Sequence, residues 1–320
     1  MAANGSALVQ PRPAAVPSSA YLSASSSVAS LHTAPSSQEP EVLSIALQDG
    51  RALAYALMGA PIAGAAAVCI YHHGVPASLI EAEPLAAAAA PLGIAVVAFD
   101  RPGMGGSSHN PQMSIQSVVD DTRQLMDHLG LHSAVQVGES GGVPYAAACA
   151  ALLPRRTQAL LLLAGLAAVH GRENAVLLKS LSAMDRFSMN WAARLGGARL
   201  ISHFVKLAAD GNEAAQDWLL RFMTRAYRPG VRGVLLDYRV LGGDWGGLDV
   251  GLIACRTAIW HGAGDCVVAP AHAQWWHRRV AGSELHILPD EGHISVVGRH
   301  AERIWRDLLP GQLQPIAADE

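Results

Sequence analysis

The sequence predicts an α/β fold: a mostly parallel, eight-stranded sheet with helices on both faces and a helical insertion. Short apolar runs alternate with helical runs over residues 41–165 and again over 254–310, as in a parallel sheet with crossover helices. Between Leu166 and Ile253 this alternation stops. We therefore expect the two outer stretches to form one core domain and residues 166–253 to form a helical lid inserted into it.

The composition is that of a soluble globular protein. Of the 320 residues, 51% are hydrophobic and 15% are charged, so the chain can bury a sizeable core. A net charge of −3 and the lack of a basic run argue against a nucleic-acid partner. The four cysteines show no C-x-x-C spacing, and buried thiols are expected. No apolar run reaches the length of about 20 residues that a membrane span needs.

The two ends of the chain give little structural signal. Residues 1–40 are mostly Ser, Ala and Pro, which cannot build a core and which predict a disordered tail or an organelle transit peptide. We expect a cytoplasmic location, with a plastid or another organelle as the alternative if residues 1–40 are a transit peptide. Residues 311–320 are expected to form a second tail.

Eight strands are predicted. The first two alternate between apolar and polar residues on either side of Asp49-Gly50, which is typical of an antiparallel hairpin at a sheet edge. The other six are short, continuous apolar runs, as in buried parallel strands. The predicted strands are residues 42–47, 51–58, 66–71, 94–99, 135–138, 159–164, 257–261 and 284–288.

Helices are predicted between the strands. Ser114 is a helix N-cap and Gly130 a stop signal, which together bound one helix. The predicted helices of the core are residues 81–92, 114–129, 143–151, 271–280 and 296–309. Several helices are expected in the insertion, separated by breaks at residues 196–197, 210–211, 229–230 and 242–247.

Residues 138–142 form a Gly-x-Ser-x-Gly turn between an apolar strand and an alanine-rich helix. This arrangement is typical of a nucleophile elbow, in which the serine adopts a strained backbone conformation and the flanking glycines avoid collision with the strand and the helix. Ser140 would then lie at a helix N-terminus, where free N–H groups and the helix dipole favour negative charge. The alternative is an ordinary turn whose serine only caps the helix.

A serine hydroxyl is a poor nucleophile at neutral pH, so acyl transfer needs a base and an acid that orients the base. His293 follows the last predicted strand, and Asp265 follows the strand before it, so both are expected at the edge of the sheet where Ser140 lies. Their order along the chain is serine, acid, histidine. We predict that Ser140 is the nucleophile, His293 the base and Asp265 the orienting acid.

The sequence also predicts an oxyanion hole. Its first donor is the N–H of Gly141, directly after the serine, and its second is the N–H of Val75, in the loop after the third strand. The neighbouring His72-His73 pair does not predict a metal site, because adjacent side chains at a strand end point in opposite directions and no nearby acid or cysteine completes a ligand set.

These motifs together resemble the α/β-hydrolase fold superfamily, in its branch with a serine nucleophile and a lid. The resemblance covers about residues 41–310 and rests on His73-Gly74, Asp100-Arg101-Pro102-Gly103, the turn around Ser140, Asp265 and Gly292-His293. It implies the same triad and the same oxyanion donors, with His73, Gly74, Asp100 and Arg101 in supporting loops, and it implies no cofactor. Glu139 departs from the histidine or asparagine that often precedes the nucleophile.

The expected function is that of a serine hydrolase, most simply a carboxylesterase acting on a small or apolar substrate. The same triad can also support C–C bond hydrolysis or perhydrolysis, and a ligand receptor can keep it as well. Serine at position 140 disfavours the branches with an aspartate nucleophile. The insertion gives a weak substrate signal, because its aromatic and sulfur side chains favour an apolar group but are more often packing residues: Trp191, Trp218, Trp245, Met184, Met189 and Met223. The oligomeric state is left open.

Overall fold

The computed structural model describes residues 39–181 and 213–309. Within them, eight strands form one sheet in the order β1-β2-β4-β3-β5-β6-β7-β8. β1 is antiparallel to β2, and β2 is antiparallel to β4, whereas all other neighbours are parallel. The strands are β1 (Leu43–Ala46), β2 (Ala52–Gly59), β3 (Ala67–His72), β4 (Ile94–Phe99), β5 (Ala134–Glu139), β6 (Thr157–Leu163), β7 (Arg256–Gly262) and β8 (Glu284–Leu288). The predicted fold class is confirmed.

Eight α-helices lie within the described residues. They are α1 (Glu83–Ala89), α2 (Ile115–His128), α3 (Val143–Leu152), α4 (Ala175–Ser180), α5 (Glu213–Ala226), α6 (Arg232–Leu241), α7 (Ala271–Arg279) and α8 (Ser295–Leu308). The predicted helix over 81–92 is divided into a 3-10 turn, α1 and a second 3-10 turn. Pro84 and Pro91 lie in the first turn of the second and third pieces, where a missing N–H is tolerated, and each proline separates its piece from the one before.

The sheet has a separate apolar core on each face. One core is built from α2, α3 and α7, and includes Tyr145 and Trp276. The other is built from α1 and α8, and includes Leu85 and Trp305. Every residue of β4 and β5 is buried, because helices cover both faces of the middle of the sheet.

The described helices between β6 and β7 are packed against the core domain. Trp218 of α5 donates from its indole N–H to the carbonyl of Ile80 at 3.2 Å, and Arg221 pairs with Glu83 at 2.5 Å. Trp218, Met223 and Trp245 are buried. Trp245 stacks on Trp276 at a ring distance of 5.9 Å, so these side chains serve packing.

Some sequence predictions lie outside the described residues. These are most of the two predicted tails, the helix breaks at 196–197 and 210–211, and the side chains of Met184, Met189 and Trp191. The predicted break at 229–230 lies between α5 and α6, and the one at 242–247 directly follows α6.

Two further expectations concern single features. Cys69 and Cys149 are buried as expected, whereas Cys255 is half-buried and Cys266 is exposed. Over residues 39–181 and 213–309, no helix combines the length and the apolar character that crossing a bilayer requires.

Candidate active site

The turn between β5 and α3 has the geometry that its glycines predict. Ser140 has a φ of +52°, a left-handed conformation that few residues other than glycine adopt. A Cβ atom at position 138 would lie 2.6 Å from the Cα of Val143, and one at position 142 would overlap the carbonyl oxygen of His72. Only glycine therefore fits on either side of the serine, and the turn presents Ser140 at the start of the helical segment.

The structure brings the three predicted side chains together. The Nε2 atom of His293 lies 3.0 Å from the Oγ atom of Ser140, and the Nδ1 atom of His293 lies 2.7 Å from Oδ2 of Asp265. The three residues lie in the segments that follow β5, β7 and β8, which run parallel and so end at the same edge of the sheet. This arrangement can carry a proton from the hydroxyl to the imidazole while the carboxylate holds the imidazole in place.

The carboxylate of Asp265 is held in its charged form. Its Oδ1 atom accepts the N–H groups of Val267 and Val268, each at 2.9 Å, and His261 lies 3.2 Å from Oδ2. Burial acts to raise the pKa of Asp265, but the attraction of His293 and the hydrogen bonds from His261 and His293 hold it well below its usual value. Sequence reasoning missed His261, although a histidine at the end of an otherwise apolar strand was a visible signal.

The two predicted oxyanion donors lie beside each other. A Cβ atom placed on Gly141 would be 2.6 Å from Cγ1 of Val75 and 3.0 Å from Cδ1 of Leu241, so these side chains pack directly on the elbow. The N–H of Val75 donates to no acceptor within the residues that the structure describes. Both N–H groups thus belong to segments in contact beside Ser140.

The side chains of His72 and His73 have different partners. His72 contacts Oε1 of Gln136 at 2.9 Å, whereas the Nε2 atom of His73 accepts the N–H of Arg101 at 3.1 Å. Burial, and then the charge of Arg101, hold the pKa of His73 well below its usual value, so its ring is neutral and Nδ1–H donates to the carbonyl of Gly74 at 2.8 Å. In the described parts of the chain, no three His, Cys, Asp or Glu side chains gather to hold a metal ion.

The predicted supporting residues Asp100 and Arg101 bind the helices of the insertion. The guanidinium of Arg101 donates to the carbonyls of His73 and Gly74 and pairs with Asp237 of α6 at 2.6 Å. Asp100 pairs with Arg225 of α5 at 2.7 Å. Sequence reasoning missed both insertion residues. The signal for Asp237 was an acid in the apolar run from Val234 to Tyr238.

A second acidic group lies next to the elbow. Oε2 of Glu139 is 2.5 Å from the hydroxyl of Tyr71, which also lies 3.3 Å from Oε2 of Glu81. Glu81 in turn accepts the N–H of Gly74 at 2.5 Å. Burial raises the pKa of both carboxyl groups, and for Glu81 the nearby charge of Glu139 raises it further. Glu139 therefore belongs to a buried network that reaches Gly74 in the loop after β3.

Comparisons with known proteins agree with this architecture. A family model described as the alpha/beta hydrolase fold matches residues 68–299. A hydrolase from Pseudomonas aeruginosa PA01 is 20% identical, with a TM-score of 0.68 over 84% of this chain and 98% of its own. The enol-lactonase from Burkholderia xenovorans LB400 is 20% identical, with a TM-score of 0.59 over 83% of this chain and 98% of its own.

An esterase from Exiguobacterium antarcticum has the same fold at 18% identity, with a TM-score of 0.61 over 79% of this chain and 92% of its own. At such identities the likeness concerns the fold alone. A comparison with curated protein sequences gave no significant match.

Proposed function

Because the chain belongs to the α/β-hydrolase fold family, we propose that it is a serine hydrolase that cleaves carboxylic esters through an acyl-enzyme. The observation that carries the proposal is the contact of His293 with Ser140 at 3.0 Å and with Asp265 at 2.7 Å. These distances are those of a proton relay. The solved structures with this fold include esterases and an enol-lactonase, whose names describe hydrolysis of carboxylic esters.

In the first half of the proposed reaction, Oγ of Ser140 attacks the ester carbonyl and its proton moves to Nε2 of His293. Asp265 accepts the Nδ1–H hydrogen bond and stabilises the imidazolium that forms. The N–H groups of Val75 and Gly141 stabilise the negative charge on the former carbonyl oxygen. When the tetrahedral intermediate collapses, His293 returns the proton to the leaving alkoxide, and an alcohol departs.

In the second half, water replaces the alcohol. His293 removes a proton from the water molecule as its oxygen attacks the acyl carbon, and the same two N–H groups bind the new oxyanion. Collapse breaks the bond to Oγ of Ser140, which recovers its proton from His293. The carboxylic acid leaves, and the side chains return to their starting protonation states.

The first prediction tests the nucleophile with Ser140→Ala. We expect the variant to lose at least about 10³-fold in kcat for p-nitrophenyl acetate, because the attacking atom is gone, and to lose labelling by a fluorophosphonate. Circular dichroism should show an unchanged fold.

Ser283→Ala is the matched control. The hydroxyl of Ser283 also contacts a histidine ring, that of His277, at 3.0 Å, but both residues precede β8 in the chain, whereas His293 follows it. Its turnover and labelling should equal those of the wild type. Equal turnover by Ser140→Ala and the wild type would refute the proposal. Labelling followed by a single turnover with a retained product would identify a ligand receptor instead.

A further inference from the structure

The peptide between Gly74 and Val75 is held from its carbonyl side. The carbonyl oxygen of Gly74 accepts from Nη2 of Arg101 at 2.7 Å and from Nδ1 of His73 at 2.8 Å. The carbonyl and the N–H of one planar peptide point in opposite directions. Because Arg101 and His73 hold the carbonyl of Gly74, they also set the direction in which Val75 presents its N–H.

The guanidinium of Arg101 is itself fixed by the insertion. It is fully buried, and it contacts Asp237 from Nη2 at 2.6 Å and from Nε at 3.2 Å. Asp237 also accepts a hydrogen bond from the hydroxyl of Tyr145 at 2.5 Å, and the ring of Tyr145 lies 4.8 Å from Cζ of Arg101. One edge of the planar guanidinium thus faces the carboxylate, and the rest faces the carbonyls of the loop.

We propose that Asp237, acting through Arg101, is a positioning residue that directs the N–H of Val75 toward the oxyanion. This inference rests on the proposed function, since it assigns Val75 as an oxyanion donor. The hydrogen bonds of the Asp237 side chain within the described residues go to Arg101 and Tyr145, so Asp237 acts through other residues. Its carboxylate keeps the guanidinium in the one orientation in which it can bind the carbonyls of both His73 and Gly74.

A second buried ion pair provides the matched control. Arg225 of α5 pairs with Asp100 at 2.7 Å, is buried like Arg101 and also links the insertion to the loop after β4. It has no contact with Gly74 or Val75 among the bonds of the described residues. If Asp237 only fastened the insertion, substitutions in the two pairs would have similar effects.

The experiment compares Asp237→Asn, Tyr145→Phe and Arg225→Gln with the wild type, so that each ion pair loses one of its charges. Each variant is assayed for kcat/KM with p-nitrophenyl acetate and for the affinity of an aryl trifluoromethyl ketone, which adds to a serine to form a tetrahedral oxyanion. We expect Asp237→Asn to lower both by at least about 10-fold, since full loss of an oxyanion donor costs about 10² to 10³ in kcat. Tyr145→Phe should lower both by a few-fold, and Arg225→Gln should leave the affinity for the ketone within about two-fold.

Crystal structures of the variants separate this inference from the proposed function. We expect Asp237→Asn to release the carbonyl of Gly74 from Arg101 and to rotate the Gly74–Val75 peptide, whether or not the protein hydrolyses esters. An unrotated peptide, or a ketone affinity unchanged in folded Asp237→Asn, would overturn the inference. If Asp237→Asn does not fold, the few-fold loss expected of Tyr145→Phe becomes the test. An unchanged ketone affinity in Tyr145→Phe would then overturn the inference. A wild type that neither cleaves the ester nor binds the ketone contradicts the proposed function alone.

Discussion

Glu139 precedes the serine of the elbow and is buried in contact with Tyr71, which also lies near the carboxyl of Glu81. Burial raises the pKa of Glu139 from 4.5 to about 7, and burial together with the charge of Glu139 raises that of Glu81 to about 8. Arg101 and His293 face this pair and oppose the shift. Both carboxyl groups therefore bind protons more tightly in the folded chain than in the unfolded chain.

The sign of the pH effect follows from linkage. Between about pH 4.5 and pH 8 the folded state binds more protons at these groups than the unfolded state, so their contribution to stability is greatest at the acidic end and is lost as the pH rises. We expect Glu139→Gln, which cannot ionise, to lose less stability between pH 5 and pH 8 than the wild type, by about 1 kcal/mol or more. Urea unfolding at several pH values measures this difference.

Glu302→Gln is the control for this prediction, because Glu302 is exposed on α8 and its carboxyl pairs only with Arg306 among the described side chains. Its stability should follow the wild-type pH profile. A Glu139→Gln profile parallel to that of the wild type would show that Glu139 is ionised throughout.

The residues of the proposed triad could be found from the sequence because each carries a local signal. Ser140 lies between glycines, and Asp265 and His293 each lie in the short loop after a predicted strand. Their catalytic roles stay predictions. The partners of Arg101 could not be found in this way, because Asp237 lies 136 residues further along the chain, on a helix whose place against the core depends on tertiary packing.

Helix α2 begins with a pair of reciprocal hydrogen bonds. The hydroxyl of Ser114 accepts the N–H of Ser117 at 3.1 Å, and the N–H of Ser114 donates to the hydroxyl of Ser117 at 2.9 Å. We expect Ser114→Ala to lower the free energy of unfolding by about 1 kcal/mol, since the N–H of Ser117 in the first turn loses its side-chain acceptor. Thermal or urea unfolding measures the change. The variant should hydrolyse esters at the same rate as the wild type.

Ser133→Ala serves as the control. Ser133 lies outside the helices, where its hydroxyl binds the exposed side chain of Gln158. Its effect should stay within about 0.5 kcal/mol. An equal loss in both variants would mean that the cap contributes nothing beyond a surface hydrogen bond.

The same helix shows which elements a sequence can define. The predicted bounds of α2 agree with the structure to within one residue, because Ser114 and the φ of +67° at Gly130 mark its two ends. The segment over 81–92 is interrupted because its prolines compete with its alanine-rich helical pattern. Between β6 and β7 helices do not alternate with strands. The sequence predicts helices there, but it does not predict which of their faces pack against the rest of the chain.

At the scale of the whole molecule, α5 and α6 are fastened to the core by buried charges. The pairs Arg225–Asp100 and Arg101–Asp237 each join an insertion helix to the loop after β4. Removing one partner of such a pair costs about 3 to 5 kcal/mol, because the other charge is left buried and alone. A movement of α6 away from the core would have to break the pair of Arg101 with Asp237.

We therefore expect α5 and α6 to unfold together with the sheet. Hydrogen exchange followed by mass spectrometry should give amides of residues 216–226 and 235–241 a protection similar to that of β4 and β5. The exposed N-terminal hairpin strand β1 provides the comparison within the same sample. Rapid exchange throughout α6, at a rate close to that of β1, would show that the helix opens on its own.

The anchoring of α6 limits how this protein can be re-engineered. Exchanging residues 166–253 for the corresponding segment of another hydrolase is an obvious way to change what the enzyme accepts. Such a chimera would also delete Asp237, whose carboxylate forms the ion pair with Arg101. Any transplanted segment must therefore carry an acid at the place of Asp237. Without it, the chimera would keep the guanidinium of Arg101 buried with no carboxylate to pair with it.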